Sequence, residues 1–222
     1  MTDFPFDIVA FDLDGTLLET HRDLGTAVNH ALTLGGFAAV PIESATDLIG
    51  GGAKIMLRRA IDDQGGCEDE RFRTLYKAML AHYGAHYADH TRPFPHAIEA
   101  LDYLRAKEVK LAVVTNKFEQ FANGVLTALQ IRDRFDCVIG GDTLGKGKAK
   151  PNPDPIWAAR DRLGGGRLAF VGDSTYDIKA GRAAGVPTIA VTYGYHDCAP
   201  IEMGADAVID SLDQLIPTLE SL

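Results

Sequence analysis

The sequence predicts an α/β fold, a doubly wound parallel sheet with an all-helical subdomain inserted near its start. Three observations carry this. Short apolar runs, each closed by polar residues, occur at 7–16 (DIVAFDLDGT), 110–117 (KLAVVTNK), 136–142 (DCVIGGD), 168–175 (LAFVGDST), 187–194 (PTIAVTYG) and 206–211 (DAVIDS). Most of these runs are continuous rather than alternating, as expected of strands buried on both faces of a parallel sheet. Helix-spaced stretches separate the later runs, whereas 18–92 contains no such run and reads as helix throughout.

Taken in order, the first run is a strand ending in Asp12 and Asp14. The inserted helices follow at 22–36, 43–50, 53–64 and 70–90, with Leu75, Met79, His82 and Tyr83 at helical spacing in the last. The exit, 91–97 (TRPFPHA), carries Pro93 and Pro95 and predicts an extended linker. Beyond it, helices are expected at 96–107, 118–130, 154–163 and 175–185, each between two strands. Pro155 is placed at the first helical position after Asp154 as N-cap, and Gly185 just past a helix end. The expected boundaries are 1–17 and 93–222 for a Rossmann-like core, and 18–92 for the helical insertion.

Hydrophobic residues make up 46% and charged residues 24%, values suited to a packed core. The net charge of −9 argues against nucleic acid as a partner, because backbone binding needs clustered Lys and Arg. It leaves room for a small anionic substrate, which responds to the local field of a cleft. No apolar run approaches the roughly 18 residues of a membrane span, and the start MTDFPFD lacks a basic, apolar leader pattern. Cys67, Cys137 and Cys198 are widely separated and read as reduced thiols. A cytoplasmic location is therefore expected. No feature selects between monomer and homodimer.

In an open α/β sheet, ligands bind beyond the carboxyl ends of the strands. Those ends offer Asp12, Asp14 and Thr16, then Thr115 and Asn116, then Lys150 in 150–153 (KPNP), then Asp173, Ser174 and Asp177. Asp and Gly are common turn residues at strand ends, yet four carboxylates, a lysine and hydroxyl groups converging on one edge read as a site. Oxygen donors without His or Cys suit Mg²⁺, whose charge would offset the repulsion between carboxylates. Mg²⁺ and Lys150 together can accept a phosphate. An Asp beside that phosphate can act as a covalent nucleophile, and a second Asp can serve the leaving group and then water. The Thr115 hydroxyl and nearby N–H groups would hold phosphoryl oxygens.

These motifs resemble those of the haloacid dehalogenase superfamily: DxDxT at Asp12, Asp14 and Thr16, a strand-terminal Thr115, Lys150, and GDxxxD at Gly172, Asp173 and Asp177. The resemblance implies Asp12 as nucleophile and metal ligand. It implies Asp14 as acid/base with its backbone carbonyl on the metal, Asp173 as a further ligand, and Asp177 as a ligand or a partner through water. The helical insertion matches the superfamily's type 1 cap. Over nearly the whole chain the sequence is similar to phosphoglycolate phosphatases, notably at 49–61 (IGGGAKIMLRRAI), 150–155 (KPNPDP), 171–185 (VGDSTYDIKAGRAAG) and 192–195 (TYGY). That similarity implies Mg²⁺-dependent hydrolysis of 2-phosphoglycolate through an aspartyl-phosphate. Departures are Glu19-Thr20 for Asp-Ser, Pro95-His96 for Pro-Gly, and the loop 142–151, where Lys148 competes with Lys150 and the following Pro-x-Pro favours Lys150.

Other phosphatases of sugar phosphates, pyrophosphate or nucleotides share these core residues, and a phosphomutase keeps both aspartates. A dehalogenase has no use for an acid at Asp14. A silent phosphate-binding protein is the non-enzymatic alternative, against which the intact set Asp12, Asp14, Lys150 and Asp173 argues. Gly50, Gly51 and Gly52 with Lys54 read as a helix-start turn or as the cap's specificity loop. Close backbone approach at Gly51 and Gly52, with Lys54 at a helix start, would suit a substrate carboxylate, with Arg58 and Arg59 next in line. Otherwise Arg58 and Arg59 read as solvated charges. His82, His86 and His90 read as a helix face rather than a metal site, and Trp157 as a packing residue. Tyr193 and Tyr195 either border the site or end a strand, and Asn116 either orients the site or begins a turn.

Overall fold

The computed structural model describes residues 4–49 and 51–222. In chain order the elements are β1 (Ile8–Phe11), β2 (Leu18–Glu19), α1 (His21–Leu34), a 3₁₀ segment (Ile42–Leu48), α2 (Ala53–Asp62), α3 (Asp69–His86), β3 (Arg92–Pro93), α4 (Ala97–Ala106), β4 (Lys110–Val114), α5 (Glu119–Ala128), β5 (Cys137–Ile139), α6 (Asp154–Arg162), β6 (Leu168–Gly172), α7 (Thr175–Ala184), β7 (Thr188–Val191), β8 (Ala207–Ile209) and α8 (Leu215–Ser221). Short 3₁₀ turns join several of them.

Six strands form one parallel sheet in the order β5-β4-β1-β6-β7-β8. The chain builds outward from β1 through β4 to β5, then restarts on the other side at β6. The direction therefore reverses at β1, where an open sheet leaves its ligand crevice. Phe11 of β1 pairs with Val113 and with Val171. Asp12, Thr115 and Asp173 consequently leave the sheet within two residues of the same level.

The unbroken apolar character of β1 has a direct cause. Val9 and Phe11 face a core shared with Leu101 and Leu104 of α4, Val125 and Leu126 of α5, and Leu215 and Leu219 of α8. Ile8 and Ala10 face a second core with Ile156 and Ala159 of α6 and Ala180 of α7. Successive side chains alternate between two dry layers, so no position along the strand is free to be polar.

Between β2 and β3, helices α1, α2 and α3 enclose a core of their own, including Val28, Leu32, Leu57, Ile61, Phe72 and Met79. The insertion is an all-helical cap. Its two connections to the sheet pair with one another: Leu18 opposes Pro93 and Glu19 opposes Arg92 in an antiparallel ribbon. Arg92 Nε donates to Glu19 Oε2 at 2.5 Å. The segment 91–97, expected only as a linker, is thus partly strand. The expected helix at 43–50 is a 3₁₀ segment. α6 begins at Asp154 after Pro153 as N-cap, which moves Pro155 one position into the helix. α8, with Pro217 inside it, had no sequence signal. Gly185 closes α7 in the left-handed conformation, φ 70°. His96 holds φ 64° at the start of α4, a conformation glycine adopts at lower cost. Among the described residues no helix is long and apolar enough to cross a membrane.

Asp23, in the first turn of α1, is buried and accepts from the backbone N–H of His90, the backbone N–H of Thr91 and the Thr91 hydroxyl, the last at 2.7 Å. It ties the cap's first helix to its exit. Asp23→Ala should lower stability by about 2–3 kcal/mol, because it strands buried donors. Asp23→Asn, which keeps an acceptor oxygen, should cost less than half of that. Urea denaturation of both variants checks the order.

Candidate active site

The loop after β1 turns back through Gly15, at φ 87°, where a Cβ would lie 2.3 Å from Asp173 Oδ2. Only glycine lets the backbone pass that close. The turn brings the Thr16 hydroxyl onto Asp173 Oδ1 at 2.8 Å, while the Tyr195 N–H donates to Asp173 Oδ2 at 2.6 Å. After β6, Ser174 and Asp177 form a capping box that starts α7. Asp177 Oδ2 accepts from the Ser174 N–H and hydroxyl, and Asp177 Oδ1 accepts from Lys150 Nζ at 2.6 Å. A Cβ at Gly172 would sit 2.3 Å from that of Asp177. Lys150 Nζ also lies 2.9 Å from Asp12 Oδ1. Lys148, its competitor, is exposed and pairs with Asp154.

Oxygen atoms of Asp12, Asp173 and Asp177 lie within 4.8 Å of one another. Burial pushes the Asp12 carboxyl up to about 6; Lys150 pulls it down, and Asp177 and Asp14 push it further up. Burial, followed by the charges of Asp177 and Asp12, raises Asp173 well above the usual carboxylate range. Burial alone would lower the Lys150 ammonium, but Asp12 and Asp177 hold it above its ordinary value. One ammonium cannot balance the charge of three carboxylates, and the raised Asp12 and Asp173 reflect that shortfall. Asp12 Oδ1 is buried and accepts no aligned hydrogen bond, although the ammonium is near. Its free lone pairs, the all-oxygen donor set and the uncompensated charge fit a hard divalent cation. Asp12, Asp173 and Asp177 are the residues placed to hold it. Both oxygens of Asp173 and both of Asp177 also accept protein donors, whereas Asp12 Oδ1 accepts none.

Beyond β4, the Thr115 N–H donates to Ile139 O at 3.0 Å, which fixes the loop. The Thr115 hydroxyl accepts from the Lys117 N–H at 3.3 Å. Asn116 Nδ2 donates to Lys150 O, and Asn116 Oδ1 is buried without a partner. Lys117 Nζ donates to both oxygens of Asp14, each at 2.7 Å. Burial would lower that ammonium, and Asp14, with Tyr83 beside it, holds it up. Lys117 was not identified from the sequence. It stands one residue beyond the strand-end positions, and no spacing rule connects it to Asp14. The two tyrosines buttress the loops: Tyr193 Oη donates to Thr16 O, and Tyr195 Oη accepts from the N–H groups of Thr20 and His21.

A cleft lies between core and cap. Asp12, Asp14, Thr115, Asn116, Lys117, Asp173 and Ser174 line one wall, and Leu24, Met56, Met79, Leu80 and Tyr83 the other. Gly52 lines it too, at φ 90°, its Cβ position 3.5 Å from Asn116 O. Gly51 faces Ile55 and the Tyr176 hydroxyl rather than the cleft. Gly50 lies outside the described residues. Lys54, expected to read a substrate carboxylate, is exposed and does not line the cleft, because the first turn of α2 points Ala53 and Met56 inward instead. Arg58 pairs with Asp69 at 3.1 Å and stacks over Phe72, and Arg59 is exposed. The His82 ring lies between those of His30 and His86, with centroids 4.4 and 4.5 Å away. Trp157 Nε1 donates to Ala184 O, joining α6 to α7.

Residues 9–191 match the family described as haloacid dehalogenase-like hydrolase. The phosphoglycolate phosphatase of Agrobacterium fabrum is 38% identical over 99% of this chain and 95% of its own. That of Escherichia coli is 36% identical over 95% and 91%, respectively. The crystal structure of a predicted phosphoglycolate phosphatase from Haemophilus somnus superposes with a TM-score of 0.90 at 29% identity, covering 97% of this chain and 99% of that one.

The acidic cluster has a thermodynamic signature. Asp12 binds its proton more tightly when folded, near 6, than at its ordinary 3.8. That contribution to stability is fully present below the lower value and is lost as pH rises through the higher one. Above pH 6 a cation can take the proton's place. Saturating Mg²⁺ should therefore raise Tm by about 5–10 °C at pH 7.5 and by clearly less at pH 5. Asp173→Asn should remove most of the increment. Thermal melts with and without Mg²⁺ at the two pH values measure both effects.

Proposed function

The chain belongs to the haloacid dehalogenase-like hydrolase family, and from that membership and the geometry of its site we propose that it is a Mg²⁺-dependent phosphomonoesterase that hydrolyses 2-phosphoglycolate to glycolate and phosphate. The observation that carries the reading is the buried Lys150 ammonium, 2.9 Å from Asp12 among carboxylates at the carboxyl ends of the central strands, with Asp12, Asp14 and Asp173 lining a cleft covered by the cap. The phosphate class rests on that cation and on the metal-fitting oxygens. The choice of 2-phosphoglycolate rests on the relatives that bear the name, aligned over nearly the whole chain.

In this reading the substrate phosphate enters beside Asp12 and Thr115, with the Lys150 ammonium behind Asp12. The Asp12 carboxylate attacks phosphorus, the new Asp12–phosphoryl bond forms, and the ester bond to the leaving oxygen breaks. Asp14 supplies the proton to that oxygen, so glycolate leaves neutral at its hydroxyl. Asp14 then accepts a proton from water, which attacks phosphorus and restores Asp12. The Thr115 hydroxyl and the N–H groups of its loop hold phosphoryl oxygens as charge shifts onto them. Bound Mg²⁺ would neutralise part of the charge shared by phosphate and carboxylates. Lys150 lies beside Asp12, and Asp177 holds Lys150 in place, which makes Asp177 a positioning residue that would also help hold the metal. The cap excludes water and faces the leaving group. A small phosphorylated metabolite, rather than nucleic acid or a membrane, is the partner this cleft suits, and the three free cysteines accord with a cytoplasmic setting.

The test is phosphate release from 2-phosphoglycolate and a panel of other phosphomonoesters, with Mg²⁺ and with chelator. Hydrolysis should need Mg²⁺ and be fastest on 2-phosphoglycolate. Asp12→Asn should retain the fold and lose at least about 10³-fold in kcat, since a neutral amide is not a nucleophile here. A variant that kept a tenth of the rate would remove Asp12 from that role.

A further inference from the structure

We propose that Lys117 of the core and Tyr83 of the cap together form the subsite for the acidic end of the leaving group, and that a substrate carboxylate binding there draws Lys117 away from Asp14. The inference rests on the phosphomonoesterase reading and adds the residues that select its substrate.

Charge in the cleft is the first ground. Among the described residues that line it, Lys117 is the only one with a cationic side chain. Lys150 lies behind Asp12, its side chain only 1% exposed, and Lys54 faces solvent outside the cleft. The cap wall otherwise presents mainly apolar side chains, among them Leu24, Met56 and Met79, and Tyr76 as its other hydroxyl, none of which carries a positive charge. In a chain of net charge −9, a substrate carrying both phosphate and carboxylate needs a local cation for each end.

The Tyr83 hydroxyl is buried, with the residue 2% exposed, and no acceptor takes its proton. Such a group costs free energy until something accepts its proton. Lys117 Nζ lies 4.7 Å from the centre of its ring, and both residues line the cleft. Burial pushes the phenol up to about 12, which leaves it a neutral donor at physiological pH. One carboxylate could satisfy both groups, accepting an ionic hydrogen bond from Lys117 and a second from Tyr83.

The consequence concerns Asp14. Lys117 Nζ now holds both of its oxygens at 2.7 Å. A substrate carboxylate that captures Lys117 frees Asp14 to turn toward the ester oxygen. A leaving group without a carboxylate leaves the clamp closed. Binding energy at the remote carboxylate is thus spent on arranging the acid/base, and discrimination should appear in kcat as well as in KM.

The experiment compares 2-phosphoglycolate with ethyl phosphate, which has the same two carbons and no carboxylate, on the Mg²⁺-loaded enzyme. The quantity read is the ratio of the two kcat/KM values. Lys117→Met should lower that ratio by at least about 10-fold, Lys117→Arg should restore part of it, and Tyr83→Phe should lower it by about 5-fold. Tyr83→Phe keeps the ring and its packing, so it reads the subsite even if Lys117→Met folds poorly. A wild-type enzyme that prefers 2-phosphoglycolate, with the ratio unchanged in Lys117→Met and Tyr83→Phe, would overturn the subsite alone and confine Lys117 to fixing Asp14. A wild-type enzyme that favours ethyl phosphate would overturn the substrate reading and the subsite together.

Discussion

Asp12, Asp173 and Asp177 bring carboxylate oxygens within 4.8 Å of one another in a site nearly closed to water, and among the described residues the Lys150 ammonium is the only side-chain cation paired with the cluster, through Asp12 and Asp177. Like charges at that spacing are tolerated in a buried site only if cations and donors are fixed around them. Much of the surrounding structure can be read as a response. Asp177 caps α7 and grips Lys150 at once. Asp173 is held from both sides by Thr16 and by the Tyr195 backbone. The glycines at 15 and 172 exist because a carboxylate occupies the space a Cβ would fill. Even the sheet order follows the same need, since only the central β1, flanked by β4 and β6, can deliver residues from three separate chain segments to one point.

The cap answers a different constraint. A helical insertion with its own core could sit anywhere the two connecting strands allowed. Here its position is restricted by a short antiparallel ribbon, by Asp23 reaching from α1 to the backbone at His90 and Thr91, and by Tyr195 accepting from Thr20 and His21. Tyr195 therefore touches the metal-fitting cluster through its N–H and the cap's root through its hydroxyl. That gives a packed connection between the chemistry and the element that covers it.

The wall that the cap turns toward the site is apolar, and this shifts the burden of recognising an anion onto the core. Lys54 stood at the right place in the sequence, beside glycines and at a helix start, yet the helix turns it to solvent. Lys117 has the buried setting such a role needs, and it is already engaged with the group proposed as acid/base. A cation placed so that it must choose between Asp14 and a ligand is a means of linking recognition to chemistry, which a surface lysine on the cap could not provide.

Much of the fold was legible in the sequence because burial on both faces forces apolar runs and helices repeat with their own period. The six core strands, the helical character of 18–92 and the residues at the strand ends followed from that alone, and so did Asp12, Thr115, Lys150 and Asp173 as a group. Local patterns also distinguished Lys150 from Lys148 through the prolines that follow it. What the sequence did not contain were relations between distant side chains. The pairing of residues 18–19 with 92–93, the Asp23 tie, the Lys117 clamp on Asp14 and the approach of Tyr83 to Lys117 each join positions more than thirty residues apart. α8 escaped because a seven-residue helix containing Pro217 has too few periodic positions to register. Sequence determines which residues each strand end will present, since strand period and burial are local properties of the chain. Which of those residues share a charge, and which way a helix turns its lysine, is decided only when separately folded segments pack together, because electrostatic partners are selected by distance in space and distance in space is set by the tertiary fold.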